Sequence, residues 1–239
     1  MLELDLVVFD IAGTTIRASD HVPDAFSEAF ANVGIQLPDQ DIQAVRGKSK
    51  REAIAGLLHQ DLDATEVYLD FKNILMQQYD AQGVEPIDGA EETFEWLKSR
   101  NIKTALTTGF DRDLAHRQIR KVGWEEIFDA VVCDDDVDRG RPAPDLIFRA
   151  MEWTGCENHN RVAAVGDTVS DLEAAGNAGV AWCIGVLSGA HDEEQLNSCA
   201  HTAIISSIAR LPEVLVGGQV LSEFRLDVDT VRPFKNDRY

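Results

Sequence analysis

The run LDLVVF at residues 4–9 is apolar at nearly every position and stops at a carboxylate, Asp10. A run this short, apolar on consecutive rather than alternate residues, fits a parallel strand buried on both faces. Runs of the same kind recur as KTALTT at 103–108, DAVVC at 129–133, RVAAVG at 161–166 and VAWCIGV at 180–186, with a weaker HTAIIS at 201–206. Helical patterns separate them, over 88–100, 111–122, 143–154, 170–178 and 206–216. Alternating strands and helices predict an α/β fold with a doubly wound parallel sheet. Residues 17–85 interrupt the alternation with helical patterns near 21–33, 39–45, 50–59 and 64–82 and no strand. A helical insertion therefore follows the first strand and rejoins the core near Pro86 and Gly89. A length of 239 residues suits one core domain carrying such an insertion.

Charge narrows the function classes. A formal net charge of -20 opposes non-specific binding to nucleic acid, though not to a small anion held by local cations. Four of the 22 cationic side chains, Arg46, Lys48, Lys50 and Arg51, fall within six residues. They read either as a solvated loop or as an anion site. No window approaches the roughly 18 consecutive apolar residues of a membrane span. The start MLELDLVVFD has no secretory features, so a cytoplasmic protein is expected. Cys133, Cys156, Cys183 and Cys199 show neither pairing nor metal-ligand spacing and read as free thiols. The tail from 218, ending RPFKNDRY, is assigned no function.

Ligands of open α/β sheets bind beyond the carboxyl ends of the strands, and four polar constellations lie at such ends. Asp10-Ile11-Ala12-Gly13-Thr14-Thr15 offers a carboxylate nucleophile, or a residue that caps a turn. Thr107-Thr108-Gly109-Phe110 offers a hydroxyl beside a glycine N–H for a phosphate oxygen, or a helix cap. Gly140-Arg141-Pro142-Ala143-Pro144-Asp145 fixes a permanent cation before a proline-started helix. Gly166-Asp167-Thr168-Val169-Ser170-Asp171 sets two carboxylates four residues apart, oxygen donors suited to magnesium, or an N-capping pair formed by Asp167 or Ser170 with a nearby acid. Together they supply a nucleophile, a hydroxyl, a cation and a metal site.

These residues resemble the motifs of the haloacid dehalogenase-like (HAD) superfamily, in the order D-x-x-G-T, Thr, Arg and GDxxxD, over nearly the whole chain. The resemblance implies an HAD core at 1–16 and 86–239 with a helical cap domain at 17–85. It also implies an aspartyl-phosphate on Asp10. Mg2+ would be held by Asp10, the Ala12 carbonyl and Asp167, with Asp171 in support, and the phosphoryl group by Thr108, Gly109 and Arg141. Pairing of cap helices in that superfamily implies a homodimer.

Phosphatases of the superfamily usually carry a second aspartate two residues after the nucleophile, which protonates the leaving alcohol. Here that position is Ala12. The D-x-A-G-T-T, TTG-aromatic, GRPxP and GDTxSD strings are most similar to the phosphonoacetaldehyde hydrolases, or phosphonatases, whose cleaved carbon–phosphorus bond leaves no alcohol. Their cap lysine forms a Schiff base with the substrate aldehyde, and Lys50 falls in its place. The neighbouring Arg46, Lys48 and Arg51 would depress its pKa through like charge. Three positions depart from that family: Ala53 replaces a histidine, Arg46 a hydrophobic residue and Phe110 a tyrosine.

The expected function is a Mg-dependent hydrolase of a small phosphonate, with Asp10, Lys50 and Arg141 catalytic. The alternative is a phosphomonoester phosphatase of the phosphoglycolate phosphatase type, in which Lys50 anchors phosphate. A dehalogenase and a non-catalytic phosphate binder are the remaining readings.

Overall fold

The computed structural model describes residues 3–17, 21–58 and 62–223. Six parallel strands form one sheet: β1 (Leu6–Asp10), β2 (Lys103–Thr107), β3 (Ala130–Val132), β4 (Val162–Gly166), β5 (Trp182–Val186) and β6 (Ala203–Ile205). Their order is β3-β2-β1-β4-β5-β6. All six coincide with the apolar runs, trimmed by one or a few residues at their ends. The edge strands β3 and β6 are the shortest, each having a neighbour on one side only.

The reason for the continuous apolar runs lies in the two faces of the sheet. Side chains alternate between faces along a strand. Val7 and Phe9 of β1 join one core cluster, with Leu106, Val165, Phe94 and Trp124. Leu6 and Val8 join the other, with Ala105, Ala164, Leu146 and Leu172. Each strand thus needs apolar residues at both odd and even positions. The ring of Phe9 meets that of Phe94 edge-on, with centroids 5.5 Å apart, and Phe94 does the same with Trp124 at 5.2 Å. Burying one such side chain contributes about 1.5–3 kcal/mol.

Four helices lie between β1 and the core helix that precedes β2: α1 (His21–Asn32), α2 (Asp39–Ala44), α3 (Lys50–Leu57) and α4 (Ala64–Gln82). Helix α4 spans the predicted 64–82. Its N-cap Asp63 accepts the N–H of Thr65 at 2.8 Å. The insertion has its own apolar cluster, built on Phe26, Phe30, Ile54, Phe71 and Leu75. Phe110 and Leu114 of the core complete that cluster, so the insertion is packed onto the sheet and not merely tethered. The remaining helices are α5 (Ala90–Lys98), α6 (Arg112–Lys121), α7 (Asp145–Thr154), α8 (Val169–Ala178), α9 (Glu193–Asn197) and α10 (Leu211–Glu223). Helix α10 extends past the expected limit of 216, and the end of the charged tail, from 224, lies outside the described residues. Residues 18–20 and 59–61, within the expected cap, also lie outside them. Among the described residues, no helix is long and apolar enough to cross a membrane.

Candidate active site

Asp10 is the last residue of β1, and the strand register sets it beside Thr107, the last residue of β2. Asp167 follows the end of β4, which pairs with β1 from the other side. Parallel pairing therefore delivers both acids to one edge of the sheet. A cavity with about 40 Å³ of space open to water lies there. It is walled from below by Asp10, Ala12, Thr108, Gly109, Arg141 and Asp167, and from above by the helical insertion, including Lys50.

Arg141 organises the floor. It is 5% exposed. Its Nη1 donates to Asp10 Oδ1 at 2.6 Å and lies 2.7 Å from Asp171 Oδ1. Its Nη2 donates to the carbonyl of Thr107 at 2.9 Å and to the Thr107 hydroxyl at 2.7 Å. One planar guanidinium thus ties β1, β2 and α8, and its own pKa is raised because Asp171 and Asp10 outweigh the cost of burial. Thr107, which the sequence places in the Thr107-Thr108-Gly109-Phe110 constellation, thus holds Arg141 through both its carbonyl and its hydroxyl.

The two glycine-motif acids have different surroundings. Asp171 is already committed: beyond Arg141, its Oδ2 accepts the N–H of Thr168 at 3.0 Å and the Thr168 hydroxyl at 2.5 Å. This is a capping box at the start of α8, with Thr168 as the N-cap rather than Asp167 or Ser170. Asp167 accepts the N–H of Ala190 at 2.6 Å and the hydroxyl of Thr14 at 3.3 Å, and forms no ion pair among the described residues. Burial, and then the charges of Asp10 and Asp171, push its pKa up. Burial also raises that of Asp10, against the pull of Arg141.

Asp167, buried within the field of Asp10 and without an ion pair of its own among the described residues, has the chemistry of a cation ligand. No group of three or more His, Cys, Asp or Glu side chains among the described residues could hold a metal by itself. Magnesium asks for less: one or two carboxylates, with other oxygens from substrate phosphate and water. Asp10, Asp167 and the carbonyl of Ala12, which also lines the cavity, fit that demand.

The loop of Thr108, Gly109 and Phe110 meets the insertion directly. The Thr108 hydroxyl accepts the N–H of Phe110 at 3.2 Å, which leaves its own hydrogen to donate. The Lys50 N–H donates to the carbonyl of Gly109 at 3.1 Å. A Cβ on Gly109 would lie 2.4 Å from the carbonyl oxygen of Lys48. Gly47, at φ +78°, approaches Thr168 so closely that a Cβ would meet its hydroxyl at 2.1 Å. Ser49 caps α3 by accepting the N–H of Glu52 at 3.3 Å, and donates its hydroxyl to Asp134 of the core at 2.6 Å. The S-x-x-E spacing of Ser49 and Glu52 was a visible capping signal, but its core partner Asp134 was not.

Lys50 opens α3, with its amine donating to the Lys48 carbonyl at 2.8 Å and lying 5.2 Å from the centre of the Phe110 ring. It is 7% exposed. Its pKa is lowered to about 8, chiefly by burial, with Asp10 opposing and Arg141 adding to the fall. Burial, not the neighbouring like charges expected from the sequence, is the main cause: Arg46 contributes only weakly, and Arg51 turns away to stack on Tyr68, 4.3 Å from its ring centre, and to pair with Asp135.

Comparisons with known proteins give the family and the fold. The family described as haloacid dehalogenase-like hydrolase matches residues 7–185, from β1 into β5. A phosphonoacetaldehyde hydrolase of Bacillus cereus (strain B4264) is 30% identical over 221 residues, covering 82% of each chain. One from Bacillus cytotoxicus is 29% identical over 211 residues, covering 80% of this chain and 78% of its own. A phosphonoacetaldehyde hydrolase-like protein of Oleispira antarctica has the same fold, with a TM-score of 0.81 at 23% identity, covering 92% of this chain and 94% of its own. With a parallel sheet, an aspartate closing its first strand and a family match spanning that sheet, this chain belongs to the haloacid dehalogenase-like hydrolases.

Proposed function

We propose that this hydrolase releases phosphate from a small phosphonate of the phosphonoacetaldehyde kind, through an aspartyl-phosphate on Asp10. The observation that carries the reading is Lys50, a buried amine with a pKa lowered to about 8, in the same cavity as Asp10. Ala12, where an acid would serve an alcohol leaving group, supports it, as do the names of the Bacillus relatives. The helices between 17 and 85 act as the cap that closes over the reaction.

In this mechanism the neutral Lys50 amine condenses with the substrate carbonyl, releasing water, and the resulting imine takes up a proton from solvent to become an iminium. Arg141 holds Asp10 by Oδ1, so that Oδ2 attacks phosphorus. The carbon–phosphorus bond breaks and its electron pair moves into the iminium, giving an enamine. Protonation at carbon and hydrolysis free the aldehyde product and Lys50. Water then cleaves the aspartyl-phosphate. Thr108 and Gly109 hold the phosphoryl oxygens, and Asp171 keeps Arg141 in place. Asp10, Asp167 and the Ala12 carbonyl would hold magnesium, which would supply positive charge to offset that of the phosphoryl group.

One observation favours the phosphomonoester reading. With a pKa near 8, Lys50 is still largely charged at neutral pH, as a phosphate anchor should be. The test is phosphate release from phosphonoacetaldehyde and from a panel of phosphomonoesters, each with magnesium and with chelator. Borohydride added with phosphonoacetaldehyde should trap an adduct on Lys50 that is absent from Lys50→Arg. Release only from monoesters, with no adduct, would overturn the phosphonate reading.

A further inference from the structure

Three cations line the cavity: Arg141, Lys50 and Arg46. Two of them are engaged. Arg141 is saturated by Asp10, Asp171 and Thr107, and the Lys50 amine donates to the Lys48 carbonyl. The Arg46 guanidinium forms no hydrogen bond and no ion pair with any described residue, although it stands half-buried in the cavity wall. Its backbone is fixed on both sides: its N–H donates to the Gln43 carbonyl at 3.2 Å, and its carbonyl accepts the Ser170 hydroxyl at 3.5 Å. Gly47, pressed against Thr168, anchors the next residue. Arg46 is therefore a held cation with unused donors.

Apart from Arg46, Lys50 and the backbone of Gly47, the upper wall consists of apolar side chains: Val22, Pro23, Phe26, Ile42 and Val45. A hydroxyl placed against these residues would lose its water without gaining a partner. That excludes polyols such as sugar phosphates. About 40 Å³ of open space admits only a short chain beyond the phosphoryl group. A guanidinium fork matches a carboxylate through two parallel hydrogen bonds.

We infer that Arg46 is a specificity-determining residue that binds a carboxylate at the far end of the substrate. The substrate class is then a short phosphorylated or phosphonylated carboxylic acid. This rests on the proposed function, and within it names a phosphono-oxo acid of about three carbons, with the carbonyl at Lys50, as favoured over the plain aldehyde.

The test compares two pairs of compounds that differ in the carboxylate: 3-phosphonopyruvate against phosphonoacetaldehyde, and phosphoglycolate against ethyl phosphate. The readout is the ratio of kcat/KM within each pair, for the parent, Arg46→Met and Arg46→Lys. The parent should prefer the acid by about 10–100-fold, the size expected for a charge-assisted contact. Arg46→Met should bring the ratio toward one, mainly through KM, and Arg46→Lys should restore part of it, since it keeps the charge and loses the fork. A ratio near one in the parent, or one that Arg46→Met leaves unchanged, would overturn the inference while leaving the phosphonatase reading intact. Turnover confined to the monoester pair, with phosphoglycolate preferred through Arg46, would overturn the phosphonatase reading while the inference stood. Because the Arg46 side chain forms no hydrogen bond or ion pair with the described residues, a thermal melt unchanged by either substitution would show that the ratios report on binding.

Discussion

The floor and the roof of this site are held by different kinds of contact. On the floor, buried charges interlock: Arg141 joins Asp10, Asp171 and Thr107 with almost no water access. The roof is attached partly through exposed or half-exposed pairs, such as Arg51 with Asp135, Arg117 with Asp80 and Lys121 with Asp80. Exposed pairs are worth about 0–1 kcal/mol each, whereas breaking a buried pair strands an uncompensated charge. Its strongest polar anchor is Asp111, the N-cap of α6, which accepts the Tyr68 hydroxyl and the Lys72 amine, each at 2.7 Å. These contacts outweigh burial and hold the Asp111 carboxyl below its usual range. The difference is one of burial: the floor is held by interlocked buried charges, the roof largely by pairs open to solvent.

Arg141→Ala tests the buried side and should have the largest effect. It leaves Asp10 and Asp171 buried without their cation, and should lower unfolding free energy by about 3–5 kcal/mol in urea titration. A loss below about 1 kcal/mol, the value of a surface pair, would erase the contrast.

Lys50→Met comes next, with the opposite sign. The folded-state pKa of Lys50, about 8, lies below the ordinary 10.5, so folding favours loss of its proton. The penalty for burying the charged amine is complete below pH 8 and fades as pH rises toward 10.5. Lys50→Met should therefore be more stable than the parent at pH 7, by up to about 3 kcal/mol, with the gain shrinking by pH 10. The parent's kcat/KM on phosphonoacetaldehyde should rise with pH to a plateau above about 8, since the neutral amine attacks. A flat profile would show that Lys50 is not the nucleophile toward the carbonyl.

Asp111→Ala probes the strongest fastening of the roof. Loss of the α6 cap alone should cost about 0.5–2 kcal/mol. Because Tyr68 and Lys72 are released as well, KM should rise more than kcat falls. Ser49→Ala should have the smallest effect, about 1 kcal/mol or less, from loss of the α3 cap. Its contact with Asp134 seats Lys50, so a rise in the apparent pKa of the pH profile would sharpen the view that the roof positions the amine.

The same difference explains what could be read in the sequence. The six strands were legible because burial on both faces writes itself as unbroken apolar runs, as in LVVFD and VAAVG. Asp10 and Asp167 were legible as acids at the ends of such runs, and Arg141 as a cation just before a proline-started helix. The partners that hold the roof were not, because they meet across long separations. Ser49 and Asp134 are 85 residues apart, and Tyr68 and Asp111 are 43 apart. No local pattern encodes such a meeting. Burial of Lys50 was hidden for the same reason: a lysine in a basic cluster looks solvated until Phe110 and the phosphate loop are folded against it.

The bare backbone of Gly109 has a consequence for how this enzyme could be tuned. Nothing separates the phosphate loop from the carbonyl of Lys48, so the two surfaces mate with no spare clearance. A single methyl group there would act as a doorstop: the roof would rest ajar, water would reach the reacting centre, and the floor beneath would stay assembled. In such a fit, the width of one hydrogen atom decides whether the chamber is sealed.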